Sequence, residues 1–121
     1  MIQKRFNSVV VSAAGDYFQI LFERDGEDEL KSEYFLLQRQ FEDPEDGDLF
    51  YIESSDTELC GHVEIERAFL GRSLLRLDMP PTKWMSIQIE FAADQALYRK
   101  LARVLRTIFQ NRLVVHNAAN D

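Results

Sequence analysis

The sequence contains one cysteine, five glycines and three prolines among its 121 residues. Because a disulfide joins two cysteines, the single Cys60 excludes an intrachain bridge, and a four-cysteine zinc site is excluded as well. The glycines do not form the G-x-x-x-x-G-K-S/T pattern of a phosphate-binding loop. The low cysteine content favours a protein of a reducing compartment.

Long apolar runs are also missing. No segment approaches the roughly 18 consecutive apolar residues of a membrane-spanning helix. Lys4 and Arg5 precede three valines at positions 9–11, but the apolar core of a secretory signal needs about 7–15 residues. We therefore expect a cytoplasmic protein that does not bind membranes.

Charge is divided unevenly along the chain. Residues 1–61 hold five basic and 15 acidic residues, a net charge of −10, whereas residues 62–121 hold nine basic and six acidic residues, a net charge of +3. An acidic half repels the phosphate backbone of nucleic acids, so we expect no nucleic-acid partner. The same half would attract a basic protein through long-range electrostatic steering.

Alternation of apolar and polar residues dominates the first three quarters of the sequence, where it predicts seven strands. The predicted strands cover residues 6–13, 17–23, 34–41, 49–53, 62–70, 74–77 and 84–91. Gly15 can provide the positive φ of the first hairpin turn. In the strand 62–70, we expect Val63, Ile65 and Phe69 to face the core.

The period changes at residue 94 to the spacing of a helix. The apolar residues with this spacing are Leu97, Leu101, Val104, Leu105, Ile108 and Phe109. Asp94 is the predicted N-cap, and the helix of about sixteen residues would span roughly 24 Å. The sequence therefore predicts a single α+β domain over residues 1–112, in which an antiparallel sheet of six or seven strands carries this helix across one face. Residues 113–121 are predicted to form a partly ordered tail.

Two groups of side chains could in principle carry chemistry. Cys60 and His62 would lie on one face of a strand as a thiolate and a base, or as two metal ligands, but a structural zinc needs four ligands. Glu64 and Glu66 could form an acid–base pair, although strand faces commonly carry such acids as solvated residues. We expect neither an enzyme nor a cofactor or metal site.

The predicted helix also carries a basic stripe. Arg99, Arg103 and Arg106 lie at positions i, i+4 and i+7, with Lys100 nearby. Such a stripe can bind phosphates, but Tyr98 is the one aromatic residue beside it. An ordinary solvent-exposed helix face is the favoured interpretation.

A series of segments between residues 34 and 109 has the order of a known family. The segments are Tyr34-Phe35-Leu36-Leu37-Gln38-Arg39, the acidic loop at 42–48, Leu49-Phe50-Tyr51-Ile52-Glu53, Cys60-Gly61 with Ile65-Glu66, Ser73-Leu74-Leu75-Arg76-Leu77, and Ile87-Gln88-Ile89-Glu90-Phe91 before the helix. In this order they resemble immunity protein family 10. Members of that family are small bacterial proteins that occur beside polymorphic toxins and are considered to neutralise them.

The resemblance implies a protein that occludes a cognate toxin, as a monomer or weak homodimer, and that needs a complementary surface instead of an active site. Many such toxins are basic nucleases, which an acidic surface would suit. We expect acidic residues of two loops to form the toxin-facing patch, with Phe50 or Tyr51 as an aromatic anchor. The acidic residues are Glu42, Asp43, Glu45, Asp46, Asp48, Asp56 and Glu58.

The sequence is also compatible with two other functions. A small acidic secretion-type chaperone, or another protein-binding adaptor, would bind a segment of its partner along a sheet. A chaperone of this kind predicts a dimer and an exposed hydrophobic strand. A small enzyme that uses Glu64 or His62 would instead require a concave pocket around those residues.

Overall fold

The computed structural model describes residues 2–24, 33–42, 49–56, 59–80 and 86–116, which form ten strands, one α-helix and a short 3-10 turn. The strands are β1 (Ile2–Arg5), β2 (Ser8–Ala14), β3 (Tyr17–Arg24), β4 (Glu33–Gln40), β5 (Phe50–Ser54), β6 (Gly61–Val63), β7 (Arg67–Gly71), β8 (Leu74–Asp78), β9 (Ser86–Glu90) and β10 (Leu113–Val115). The helix α1 covers Gln95–Phe109 and continues into the 3-10 turn Gln110–Arg112.

The described strands form two five-stranded sheets. Sheet A has the order β1-β9-β8-β7-β10, and sheet B has the order β2-β3-β4-β5-β6. Sheet B is antiparallel throughout, whereas β1 and β10 pair in parallel with β9 and β7 at the two edges of sheet A. The α+β class is confirmed, but the prediction of one sheet with six or seven strands is wrong, because the strands divide into two sheets.

The division occurs inside the predicted strand 62–70. Residues 64–66 are not in a strand, so that β6 completes sheet B and β7 returns the chain to sheet A, to which β1 also belongs. Ile65 is buried as predicted, but the alternation restarts beyond it: Ala68 and Leu70 face the core, and Phe69 lies on the other face with Arg76 over its ring. A period-two pattern cannot show that a strand leaves one sheet and enters another.

The helix explains the parallel edge at β10. A parallel connection needs a crossover, and α1 supplies it between β9 and β10. Part of the predicted tail, Leu113–Val115, therefore belongs to sheet A, and His116 donates its backbone N–H to the Leu70 carbonyl at 2.7 Å. The rest of that tail, residues 117–121, lies outside the described residues, as do residues 84 and 85 of the predicted strand 84–91.

The apolar stripe of α1 is buried as predicted, and Asp94 caps the helix by accepting from the Leu97 amide at 2.8 Å. The helix contacts β2 and β3 of sheet B as well as β7 and β10 of sheet A, so it does not lie across one sheet alone. Its last residue, Phe109, stacks on Phe50 of β5 with ring centroids 4.6 Å apart. One apolar core therefore joins the inner faces of both sheets to the helix.

Sheet B also holds the end of the helix through a buried cation. Arg39 projects from the inner face of β4, is 5% exposed, and donates from Nη1 to the Ile108 carbonyl in the last turn of α1. Its guanidinium lies over the rings of Phe41 and Phe50, at 4.6 and 4.8 Å from their centroids. A planar cation between two aromatic faces keeps this charge in an apolar setting.

Among the described helices, none is long and apolar enough to cross a membrane.

Candidate binding surface

The outer face of sheet B is the candidate site. Alternate residues of β3 and β4, such as Ile20, Phe22, Phe35 and Leu37, are fully buried on the inner face, so their neighbours point outward. We call the outward-pointing set the tyrosine face. Its residues are Val10, Tyr17, Gln19, Leu21, Tyr34, Leu36, Gln38, Tyr51, Glu53 and His62.

The strand register arranges the tyrosine face in rows. One row is aliphatic: Val10 lies opposite Leu21, and Leu21 lies opposite Leu36. Val10 is 46% exposed, and the two leucines are half-buried. A contiguous apolar row on the outer face of a sheet is typical of a contact surface.

The row beside it is polar and aromatic. It runs from Gln19 through Gln38 and Tyr51 to His62. Gln38 donates from Nε2 to the Gln19 Oε1 atom at 2.7 Å, and the Tyr17 hydroxyl donates to the same oxygen at 3.3 Å. These bonds fix the orientation of side chains that would otherwise be free to rotate, which lowers the entropic cost of binding.

Glu53 orders two of the tyrosines. The hydroxyl of Tyr51 donates to Glu53 Oε1 at 2.8 Å, and the hydroxyl of Tyr34 donates to Glu53 Oε2 at 3.0 Å. These hydrogen bonds are the main reason why the pKa of each phenol is raised, since ionisation would remove the donated proton and set two negative charges side by side. Both tyrosines therefore stay neutral donors.

Cys60 and His62 meet at Tyr51. The Tyr51 hydroxyl lies 3.7 Å from the Cys60 sulfur, and its ring centroid lies 5.3 Å from that of His62 at an angle of 57°. Within the described residues, no group of three or more histidine, cysteine and acidic side chains could hold a metal ion. The arrangement offers an aromatic surface with hydrogen-bonding atoms at its rim.

A shallow groove of about 220 Å³ opens beside this cluster. Its lining residues are Tyr17, Gln38, Arg39, Gln40, Leu49, Tyr51 and His62. The groove is of a size to accept one or two protruding side chains of a partner. Three of the four residues of the polar row line it: Gln38, Tyr51 and His62.

Of the two predicted aromatic anchors, only Tyr51 reaches the surface. Phe50 is fully buried, and its ring stacks on Phe109 in the core. The expectation that Phe50 anchors a partner is therefore corrected: successive residues of β5 face opposite sides, and Phe50 and Ile52 point inward while Tyr51 and Glu53 point outward.

The structure describes two of the seven predicted acidic residues. Glu42 is exposed just after β4, and Asp56 is exposed just after β5, where its backbone amide donates to the Ser54 hydroxyl. Because β4 and β5 are antiparallel, these two acids lie at opposite ends of strands that span roughly 25 Å, and the structure does not bring them together. Asp43, Glu45, Asp46, Asp48 and Glu58 lie outside the described residues.

Other predicted groups are found away from the tyrosine face. Glu64 and Glu66 are exposed and line a cavity of about 370 Å³ with Ile65 and Arg112. Arg112 donates from Nη1 to the Ile65 carbonyl at 3.3 Å, a contact that the sequence did not indicate.

The basic stripe of the helix is exposed as the favoured interpretation requires. Arg99, Lys100, Arg103 and Arg106 all lie on the solvent side of α1. This side of the helix faces away from its buried stripe, so it is not part of the tyrosine face.

Tyr34 and Glu53 were missed by sequence reasoning as site residues. Both lie in predicted strands, and the available signal was their outward position in the alternation. That they meet follows from the pairing of β4 with β5, in which Leu36 lies opposite Glu53.

The segments that carry the family resemblance are found largely in β4, β5, β8 and β9. Comparison of the chain with protein-family models, with curated proteins and with solved structures gives no match.

Proposed function

We propose that this chain is a toxin-neutralising immunity protein, which binds a cognate, basic bacterial toxin domain and occludes it. The observation that carries the proposal is the tyrosine face, where Glu53 holds Tyr34 and Tyr51 as oriented, neutral donors beside an aliphatic row. Tyrosine is enriched at protein interfaces because it offers a large apolar ring and a polar tip at a low entropic cost.

Charge supports a basic partner. The strands of sheet B lie between residues 8 and 63 of the sequence, and they hold Glu23, Glu33 and Glu53 against Arg24 and Arg39. Glu53 lies on the tyrosine face itself, Glu23 lies opposite Tyr34, and Glu42 is exposed just after β4. A negatively charged surface increases the rate at which a basic domain approaches in the right orientation.

Occlusion requires no chemical step. A rigid surface that covers the toxin's substrate-binding region prevents the reaction in proportion to the fraction of toxin bound. A few residues at the centre of such an interface carry most of the binding energy. Tyr51 is the expected hot spot, because it lies at the centre of the polar row and contacts Glu53, Cys60 and His62.

The first experiment is co-expression with the product of the adjacent gene. We expect cells to survive only when the 121-residue chain is present. Survival of cells without the chain would remove the proposal. Binding is then measured with the purified pair by calorimetry or by surface plasmon resonance.

The tyrosine face is tested with a matched pair of variants. Tyr51→Ala is expected to weaken toxin binding by about 30-fold or more, which corresponds to the roughly 2 kcal/mol that defines a hot spot. Tyr98→Ala is the control, since Tyr98 lies on α1 beneath the Arg72 guanidinium, away from the tyrosine face. Equal affinities of the two variants would show that the toxin binds elsewhere.

A secretion-type chaperone is the second candidate, and one observation favours it. β2 is an edge strand whose Val10 is 46% exposed, as expected of a chaperone that binds an effector segment along a sheet. The two functions differ in their ligand: a chaperone binds an unfolded effector segment, whereas the proposed immunity protein binds a folded toxin domain. Binding of a folded domain with no affinity for its unfolded segments would decide for the immunity protein.

A further inference from the structure

The free edge of sheet B is unusual for an exposed strand. β2 is seven residues long and, among the described strands, pairs only with β3. No charged residue and no proline occurs between Asn7 and Gly15. Native proteins usually protect such edges with charges, prolines or short strands, because an unpaired ladder of N–H and C=O groups is open to another strand.

The other sheet edges carry this protection. β6 and β10 have three residues each. β1 has four residues, of which Lys4 and Arg5 are charged. β2 is therefore the edge at which a further strand would pair with the least repulsion and over the greatest length.

We propose that β2 pairs with β2 of a second copy of this chain, antiparallel and about a two-fold axis at Val10. The sequence Ser8-Val9-Val10-Val11-Ser12 reads the same in both directions. About an axis at Val10, each residue therefore lies opposite a residue of its own type in the second copy. Ser8 lies opposite Ser12, Val9 opposite Val11, and Val10 opposite Val10. A two-fold interface requires this kind of self-complementary surface.

The hydrogen-bonding pattern of the first hairpin agrees with this axis. Ala14 and Tyr17 flank the two-residue turn, at which Gly15 has a φ of +61°, and flanking residues of such turns hydrogen-bond each other. The backbone N–H and C=O groups of alternate residues of β2, including Val10, then form hydrogen bonds with β3. Those of Val9, Val11 and Ala13 point to the free edge instead. Val9 and Val11 are thus the residues that would exchange backbone hydrogen bonds with the second copy.

The pairing also extends the tyrosine face. Val10 is the end of the aliphatic row that continues through Leu21 to Leu36. Across the axis, the same row begins again, so that six aliphatic side chains from six strands form one row of roughly 24 Å at a strand spacing of about 4.8 Å. A single copy holds only half of this row.

Molar mass by light scattering tests the proposal with the purified chain alone, and the outcome does not depend on the proposed function. We expect a concentration-dependent rise from 14.2 kDa towards twice that mass. Val10→Lys places two like charges opposite each other at the axis and is expected to weaken the dimer at least tenfold. Val114→Lys is the matched control, because Val114 is also 46% exposed and lies in the edge strand β10; it should leave the dimer intact.

A disulfide provides an independent measurement. Residues opposite each other without hydrogen bonds have Cα atoms about 4.5 Å apart, which falls within the range that a disulfide can bridge. In a Cys60→Ser background, Val10→Cys is expected to form a covalent dimer under mild oxidation, and Val114→Cys is expected to form no covalent dimer. A wild-type chain that is monomeric at hundreds of micromolar, or a dimer unaffected by Val10→Lys, overturns the proposal. Loss of toxin binding by Val10→Lys in a monomeric chain overturns it too, in favour of a partner strand at this edge.

Discussion

Replacing the stacked phenylalanines Phe50 and Phe109 should reveal an energetic coupling between sheet B and the helix. The two rings are 4.6 Å apart and inclined by only 21°, and the residues are 0% and 1% exposed. Phe→Leu at either position keeps an apolar residue but removes the ring, so each single variant should lose about 1–2 kcal/mol of unfolding free energy.

The coupling is obtained from a double-mutant cycle. An aromatic pair contributes about 0.5–1.5 kcal/mol beyond the apolar area that it buries. Once Phe50→Leu has removed that contribution, Phe109→Leu cannot remove it again. The double variant should therefore be more stable than the sum of the two single losses predicts, by about 1 kcal/mol.

Urea denaturation of the four proteins gives the cycle, because unfolding free energy falls linearly with denaturant concentration. Phe50→Leu combined with Phe91→Leu is the control, since the ring of Phe91 contacts Phe22, at 5.8 Å, in a different part of the core. We expect this control to be additive within about 0.5 kcal/mol. Additive losses for Phe50 and Phe109 as well would refute the stacking of the helix on sheet B.

Two further predictions concern the helix cap and the tyrosine face. Asp94→Ala removes the acceptor of the Leu97 amide and should lower the unfolding free energy by about 1 kcal/mol in the same assay. Asp94→Ser should keep most of the stability, because a serine side chain can also accept from this amide. Glu53→Gln removes the carboxylate that both phenols donate to, so the pKa values of Tyr34 and Tyr51 should fall, which ultraviolet titration of phenolate formation would detect. Because both pKa values are raised by folding, the stabilisation that Glu53 provides is present below the ordinary tyrosine pKa of about 10 and is lost as pH rises through the folded values. An unchanged titration curve in Glu53→Gln would contradict the hydrogen-bond network.

Local signals were sufficient for the helix and for several strands. The 3.6-residue spacing gave the helix within one residue of its observed start, and Asp94 is the N-cap because its side chain needs only the amides of the next turn. The hairpins β2–β3 and β7–β8 follow from alternation interrupted by turn residues, such as Gly15. Each of these features depends on residues close in sequence.

Features that depend on distant pairing could not be predicted in this way. Ile65 fits the alternation of one long strand, yet the chain passes from sheet B to sheet A around it. The face of Phe50 was ambiguous because residues 49–52 are apolar throughout, so alternation alone does not decide which side meets the core. Tyr34 and Glu53 meet only because β4 pairs with β5, and a single sequence does not specify that register.

The passage between the sheets nearly coincides with the change in charge along the sequence. Residues up to 61 carry the net charge of −10, and β6 is the last strand of sheet B. Lys4 and Arg5 of the acidic half belong to β1 in sheet A, while the basic stripe lies on α1. Within the described residues, the strands of sheet B hold Glu23, Glu33 and Glu53 against Arg24 and Arg39, whereas the exposed side of the helix carries cations and no acidic residue. In the proposed complex, the cations of the helix would repel a basic toxin from that side, so that electrostatic steering favours the side on which Tyr51 lies.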